Sequence, residues 1–359
     1  MSTVHNAALS QISYPADRLR PVRFWLYCMA AFVLLIVIVG GITRLTESGL
    51  SITSWKPVSG TIPPLNDAQW QAEFDAYKQI PQYQVNNTWM TVDDFKMIFF
   101  WEWFHRLLGR VLGFVFLIPF VVFLFQKRFN PQLAAPIFGL FLLGGFQGAL
   151  GWWMVSSGLT ELTSVSQYRL AAHLSAAALL FIALLYVPRS LEPGHITAQT
   201  RPANFWFAGI LLVLILIQIA AGAFVAGLDA GMGYNTWPLM DGAIIPGGMG
   251  TLEPLWRNFF ENNLTVQFIH RGIAYFIVLY LALVLWRQAR AGGFAGAHRW
   301  LIVLSGMVLL QICLGVATLL TQVQIDLAVA HQATAFLLAG TTMLYIADMR
   351  RASRRQGNR

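Results

Sequence analysis

The chain has 359 residues, of which 57% are hydrophobic and 11% are charged, with a net charge of +8 and a mean hydropathy of +0.58. Soluble domains carry about 25% charged residues, so this composition excludes an ordinary soluble domain and indicates a protein solvated largely by lipid. The two cysteines, Cys28 and Cys313, form no CxxC or CxxCH pattern, which argues against c-type heme attachment and iron–sulfur sites.

Eight apolar runs are long enough to cross the roughly 30 Å of hydrocarbon in a bilayer. Backbone polar groups in the bilayer must be satisfied internally, and these runs are too long for barrel strands, so all eight are predicted to be helices. The first run begins near Phe24 and continues for a full span, so no cleavable signal peptide is expected. The predicted helices cover 24–43, 97–125, 134–156, 169–187, 204–226, 264–286, 300–321 and 327–347.

The distribution of Lys and Arg predicts that both termini are cytoplasmic, because cytoplasmic connections carry an excess of basic residues. This topology signal explains the positive net charge, so nucleic acid is not an expected partner. Two long connections, 44–96 and 227–263, are predicted to lie outside, and the piece from Trp70 to Ile80 in the first is a candidate amphipathic segment. The predicted cytoplasmic segments, with 15 Lys and Arg residues in total, are 1–23, 126–133, 188–203, 287–299 and 349–359.

The two halves of the chain share an ordered set of residues, which indicates an internal repeat. The first and fifth predicted helices both run outward, so the repeat is parallel. We therefore predict an all-α polytopic membrane protein with two pseudo-two-fold related four-helix bundles, 24–190 and 204–348. The matched features are Gly41 with Gly222, Trp55 with Trp237, His105-Arg106 with His270-Arg271, Gln147 and Gly151 with Gln311 and Gly315, and His173 with His331.

Four of the seven histidines lie inside apolar helices and are related by the repeat. At about 1.5 Å per residue, all four are predicted to lie about 6–14 Å below the outer surface. Burying an unpaired polar group in hydrocarbon costs several kcal/mol, so these histidines need a partner. The four are His105, His173, His270 and His331, whereas His5, His195 and His298 lie in cytoplasmic-side tails or connections and are expected to be solvated.

Two imidazoles per half, on different helices at similar depth, favour a heme iron with two axial histidine ligands. Interhelical hydrogen bonding is the structural alternative. A zinc site needs more ligands than two histidines, and a copper site lacks Met or Cys at mirrored positions. Arg106 and Arg271 each follow a histidine, and their guanidinium groups suit heme propionates or, alternatively, lipid headgroups.

The halves differ at one ionisable position. Glu102 precedes His105 by three residues and shares its helix face, whereas the corresponding residue of the second half is Gln267. A carboxyl group inside the membrane beside a candidate metal ligand is a functional candidate; the alternative is an interface residue bonded to water or Arg106. The asymmetry predicts that the second half holds a permanent heme and that the first half performs the chemistry.

At these residues the sequence resembles the heme A synthase family. The resemblance covers about residues 22–348, and it implies oxidation of a ring methyl of heme O to a formyl group, through successive hydroxylations, for cytochrome oxidase biogenesis. It also implies Glu102 as the catalytic carboxylate, a heme b cofactor held by His270 and His331, and the substrate heme at His105 and His173. It is carried by the GGITRLTESGLS segment 40–51, Trp55-Lys56-Pro57, Glu102-x-x-His105-Arg106, the His173 helix, His270-Arg271 and the His331 helix.

The resemblance further implies a heme O synthase and oxidase assembly factors as partners, and a homo-oligomer is compatible with the sequence. Some bacterial members carry a cysteine pair in an outer loop that this chain lacks, so it is nearer the cysteine-free group of mitochondrial and proteobacterial members. The short N-terminus without an Arg/Ser-rich segment favours a bacterial plasma membrane.

Two rival functions remain open. A di-heme b-type electron carrier without catalysis explains both histidine pairs but gives no role to Glu102. A transporter built from parallel repeats would use the histidines as proton-relay groups.

Overall fold

A computed structural model describes residues 18–160, 162–193, 202–294 and 298–356. Within these residues there are eight helices long and apolar enough to cross a membrane, and no β-strand, which confirms the predicted all-α membrane fold. The eight helices are α1 Arg20–Leu45, α2 Val92–Phe125, α3 Pro131–Ser156, α4 Gln167–Ser190, α5 Pro202–Gly227, α6 Asn263–Ala291, α7 Arg299–Leu320 and α8 Ile325–Gln356.

Helix α2 begins at Val92, before the predicted start at residue 97. Its first turn is fixed by a capping box, in which the Thr91 hydroxyl accepts from the Asp94 N–H and the Asp94 carboxylate accepts from the Thr91 N–H. Such a cap satisfies backbone N–H groups that have no partner within the helix. Hydropathy alone missed this start because the capped turn is polar.

The connection from α1 to α2 is a packed cap over the end of the first half. It contains two short α-helices, Asp67–Tyr77 and Pro81–Asn86, of which the first begins three residues before the segment expected to be amphipathic and overlaps most of it. Phe74 packs against Phe95 of α2 with ring centroids 5.2 Å apart, and both side chains are buried. The cap therefore shields the α2 residues that lie beneath it from solvent.

Four helices form the centre of the molecule. Helix α1 packs against α2 and α4 within the first half, and α8 packs against α5 and α7 within the second. Across the halves, α4 packs against both α5 and α8, and α8 also packs against α1. The division into two separate bundles stays a prediction, because α4 packs on the second half as extensively as on its own.

A buried ionic cluster joins α4 to α8 at the end of the molecule opposite the two long connections. The Asp348 side chain is 2% exposed and accepts from Arg189 Nε and Nη2 at 2.6 and 2.7 Å and from Trp300 Nε1 at 2.9 Å. Glu192 pairs with the same Arg189 and accepts from the Tyr27 hydroxyl at 2.7 Å. The contacts of Asp348 and Tyr27 connect residues far apart in sequence, and the sequence analysis did not foresee them.

The expectation that His298 is solvated was wrong. Its side chain is 4% exposed, and its Nδ1 lies 3.1 Å from the hydroxyl of buried Tyr345. The residue directly precedes α7, and its ring packs against α8 rather than pointing away from the protein. His5 and His195 lie outside the described residues.

Replacing Asp348 with Ala is expected to destabilise the protein by about 1–3 kcal/mol, because Arg189 loses its bidentate partner and keeps only Glu192. Thermal unfolding of the purified protein in detergent measures the effect. Asp93→Ala is the control, because the Asp93 side chain is 88% exposed and its ion pair with Lys96 is solvated. Equal unfolding temperatures for the two variants would contradict the structural role of the cluster.

Candidate functional site

The four intramembrane histidines share one packing arrangement. Each lies on an even-numbered helix, and each imidazole Cε1 faces a glycine on the helix that precedes it in the chain. A Cβ atom added to the glycine would approach that Cε1 to between 2.8 and 3.4 Å, so each glycine makes room for a ring. The distances are 2.8 Å for Gly40 and His105, 3.4 Å for Gly151 and His173, 3.1 Å for Gly222 and His270, and 2.9 Å for Gly315 and His331.

This arrangement corrects one match in the proposed repeat. The sequence analysis paired Gly41 with Gly222, whereas the residue that contacts a histidine ring as Gly222 does is Gly40. With this correction, Trp55 follows Gly40 at the same interval as Trp237 follows Gly222. Glycine is disfavoured inside helices by about 1 kcal/mol relative to alanine, so four glycines at equivalent contacts indicate a spatial requirement.

In the second half, the two imidazoles are spaced for one metal ion. The ring centroids of His270 and His331 are 6.4 Å apart, and the ring planes make an angle of 77°. Two metal–imidazole bonds of about 2 Å, with each bonded nitrogen about 1 Å from its ring centre, span about 6 Å. In the first half, His173 is near enough to His105 for the two rings to interact electrostatically.

The rings suit a heme iron better than a bare ion. All four Nδ1 atoms are buried and lack a well-aligned hydrogen-bond partner among the described residues, although the backbone of Ile36, Gln218 and Gln311 lies beside the rings of His105, His270 and His331. No group of three or more His, Cys, Asp and Glu side chains able to hold a metal ion occurs within the described part of the chain. Two neutral imidazoles from separate helices match the axial ligand set of a heme.

Two glutamines hold the histidines of the second half. Gln218 donates to the backbone carbonyl of His270 at 3.0 Å, and its Nε2 lies 3.3 Å from the ring Nε2. Gln311 donates to the carbonyl of His331 at 3.0 Å, with its Nε2 3.5 Å from that ring. The sequence analysis missed Gln218, although it precedes Gly222 at the same interval as Gln311 precedes Gly315.

The first half lacks these supports. The residue that precedes Gly40 at the same interval is Ile36, which has no polar side chain. Gln147 takes the corresponding position before Gly151, but its amide nitrogen and oxygen are both buried without a hydrogen-bond partner. The backbone of Ile36 still bonds to the His105 ring, so the two histidine pairs differ in the glutamine side-chain bonds to their helices.

The Glu102 carboxylate joins α2 to the connection that follows α1. The residue is 2% exposed, and its Oε2 accepts from the Ser51 hydroxyl and the Ile52 N–H, both at 2.7 Å. Its Oε1 accepts from Arg106 Nη2 at 2.6 Å and from Nε at 3.1 Å. A backbone N–H and a guanidinium can only donate, so this environment suits an ionised carboxylate.

Gln267 joins α6 to the connection that follows α5 in the same way, but its side chain donates to that connection where Glu102 accepts. Its Nε2 donates to the carbonyls of Ala230 and Gly233, both at 2.8 Å, and its Oε1 accepts from Arg271 Nη2 at 3.0 Å. Glu102 and Gln267 thus have a shared structural role, which the sequence analysis considered for Glu102 only as an interface bond to Arg106.

The two arginines after the histidines bind loop carbonyls. Arg106 donates to Ile52 O and Ser54 O at 3.0 and 3.2 Å. Arg271 donates to Tyr234 O and Thr236 O at 2.7 and 2.9 Å. Both guanidinium groups therefore anchor an external connection, and their contact with heme propionates stays a prediction.

Comparison with known proteins identifies the family. Residues 23–343 match the family described as cytochrome oxidase assembly protein. A heme A synthase of Azorhizobium caulinodans is 52% identical over 347 residues, which are 96% of this chain and 98% of that protein. The chain belongs to the heme A synthase family. Heme A synthases of Rhizobium rhizogenes and Mesorhizobium japonicum are 48% and 51% identical, over 94% and 89% of this chain and 92% and 88% of those proteins.

Family membership agrees with the resemblance found from the sequence motifs. The match covers all four intramembrane histidines and the four glycines on which they lie. The roles of the individual residues rest on the geometry described above.

Gly315→Ala is expected to lower heme affinity in the second half about 10- to 100-fold, because the new Cβ would lie 2.9 Å from His331 Cε1 and displace the ring. The pyridine hemochrome spectrum of the purified protein measures bound heme. Gly272→Ala is the control, because an added Cβ there meets no atom within 4 Å. Undiminished heme in Gly315→Ala would show that the ring does not need this space.

Proposed function

We propose that this protein oxidises a ring methyl of heme O to a formyl group, through successive hydroxylations, and so supplies heme A for cytochrome oxidase assembly. The observation that carries the proposal is the pair of intramembrane imidazoles in each half, every ring packed on a glycine of another helix. The relatives named heme A synthase, which are about 50% identical over nearly the whole chain, support the same reaction.

The second half holds a heme b cofactor through His270 and His331. The 6.4 Å separation of their rings and the bonds from Gln218 and Gln311 favour a permanently bound group. When bound, heme b supplies one-electron transfer. The glutamines hold the two ligand helices in position, and Arg271 anchors the external connection above them.

The first half holds the substrate heme through His105 and His173. Neither ring has a bonded glutamine support of the kind seen in the second half, because position 36 is Ile and Gln147 has no hydrogen-bond partner. A less constrained pair suits a group that must enter and leave in each catalytic cycle. Arg106 and Arg271 would reach heme propionates only by giving up loop bonds or by using N–H groups that are still free.

Glu102 acts as the negative member of a fixed ion pair with Arg106 in the substrate half. Arg106 and the Ile52 N–H bind both carboxylate oxygens and can only donate, and the Ser51 hydroxyl also donates to Oε2. This favours stabilisation of positive charge that develops as the methyl group is oxidised, rather than proton shuttling. Preorganised charge of this kind is most effective where water is excluded.

The protein lies in a bacterial plasma membrane with both termini cytoplasmic and both heme sites near the outer side. The excess of Lys and Arg in the cytoplasmic segments supports this orientation. A heme O synthase and oxidase assembly factors are the partners that this reaction requires before and after it, and self-association is compatible with the exposed apolar helix faces.

A di-heme electron carrier is the second candidate function. One observation favours it: the bonds of Glu102 to the external connection have a counterpart at Gln267, so a structural role accounts for this carboxylate without catalysis. The two functions differ in whether heme A is made.

Pigment extraction decides between them. The chain is co-expressed with a heme O producer in cells that make no heme A, and extracted pigments are separated by chromatography. The proposed function predicts heme A in the extract. Heme B and heme O alone, with heme-loaded protein in the membrane, would leave the carrier as the function.

Glu102→Gln is expected to lower heme A formation about 100-fold while both hemes remain bound, because it removes the charge and keeps the volume of the side chain. Heme A per unit of heme-loaded protein is the measurement, with thermal unfolding recorded in parallel. Ser51→Ala is the matched control, because it removes one bond to the same carboxylate and keeps its charge. If both variants lose activity only in proportion to their lost stability, Glu102 has no role beyond structure.

A further inference from the structure

Gln332 makes a polar contact across the interface between the halves. It follows His331 directly on α8, and its Nε2 donates to the backbone carbonyl of Val37 on α1 at 2.7 Å. The same amide lies against Gly41, where an added Cβ would meet Nε2 at 3.0 Å and Oε1 at 3.3 Å. The close approach of the two helices at this point therefore depends on the absence of a side chain at residue 41.

Two consecutive glycines of α1 contact side chains from different halves of the protein. Gly40 receives the ring of His105, the substrate-side ligand, whereas Gly41 receives the amide of Gln332. The contact of His105 and the contact of the residue that follows His331 thus lie on adjacent residues of α1. This is a short path of direct contacts between a ligand of one proposed heme and a ligand of the other.

The repeat-related positions on α4 and α5 lack the glutamine and the second glycine that meet between α8 and α1. Leu174 follows His173 where Gln332 follows His331, and Ala223 follows Gly222 where Gly41 follows Gly40. A leucine cannot donate a hydrogen bond to a carbonyl, so the close approach made by the amide has no equivalent there. The double glycine of α1 and the glutamine of α8 therefore occur together at the α1–α8 contact and have no counterpart at the α4–α5 contact.

The geometry points to Gln332 as a positioning residue that fixes His105 and its heme relative to His331 and heme b. This rests on the proposed function, because it presumes a heme on each histidine pair. In an apolar interior an amide that loses its acceptor is costly, so the bond from Gln332 to Val37 holds α8 and α1 in one register. The rate of electron delivery from one half to the other depends on that register, since small displacements of reacting groups lower rates steeply.

A double-mutant cycle of thermal unfolding tests the contact without reference to activity. Gly41→Ala and Gln332→Ala are each expected to lower the unfolding temperature of the purified protein. The double variant is expected to be no less stable than Gln332→Ala alone, because the added methyl then meets no amide. Additive losses would overturn the contact as the cause of the glycine.

Gln332→Leu, which copies the residue at 174, tests the positioning role. We expect both hemes to bind as in the wild type, with unchanged low-spin electron paramagnetic resonance signals and an unchanged affinity for heme O. The maximal rate of heme A formation is expected to fall on the order of tenfold. Thr342→Val on the same helix is the control, because the Thr342 hydroxyl bonds only within α8, to Leu338 O at 2.8 Å, in the described structure.

Each outcome decides the proposal. A normal maximal rate in Gln332→Leu would overturn the positioning role. Loss of either heme from this variant would also overturn it, because Gln332 would then serve to retain heme. An equal fall in Thr342→Val would also overturn it. A wild-type protein that makes no heme A would sink the proposed function instead, while the unfolding cycle would still report on the contact itself.

Discussion

The structure depends on placing four imidazole rings inside a membrane protein at helix–helix contacts. An imidazole is too large to lie between closely packed helices unless the facing residue is glycine, and each ring here lies on one. The glycines fix where the histidine helices cross their neighbours, and the crossing brings His270 and His331 to the spacing of a two-ligand metal site. Packing and ligand geometry are therefore set by the same contacts.

A second constraint acts where the helices leave the membrane. The chain uses an i, i+4 pair on α2 and again on α6 to bind the connection that follows the preceding helix, with Arg106 and Arg271 on equivalent carbonyls. The pairs differ in charge, since Glu102 is replaced by Gln267 in the second half. A neutral amide is enough for the structural task, so the carboxylate of the first half adds a charge that this task does not require.

Much of the fold was predictable from sequence, because hydropathy and helix length determine membrane spans directly. The histidine pairs were predictable as well, since polar rings stand out in apolar helices. The cluster at Asp348 and the burial of His298 were not, because both depend on contacts between residues distant in the chain. The structural partners of Glu102 were missed for the same reason: Ser51 and Ile52 approach it only after α1 and α2 pack.

Among the described residues, polar contacts join the halves near both ends of the helices and between those ends. These contacts differ in how exposed they are to water and in whether they carry charge. Arg44 and Asp229 pair at one end of the molecule, where Asp229 is 58% exposed and water can replace the partner. Asp348 and Arg189 pair at the other end in a buried cluster that resists separation. Gln332 lies between them along the helices and makes a neutral hydrogen bond that involves no buried charge. The proposed function requires two histidine pairs in fixed relation while one of them exchanges its occupant, and an interface that is rigid at the Asp348 cluster and neutral at the Gln332 contact suits that requirement.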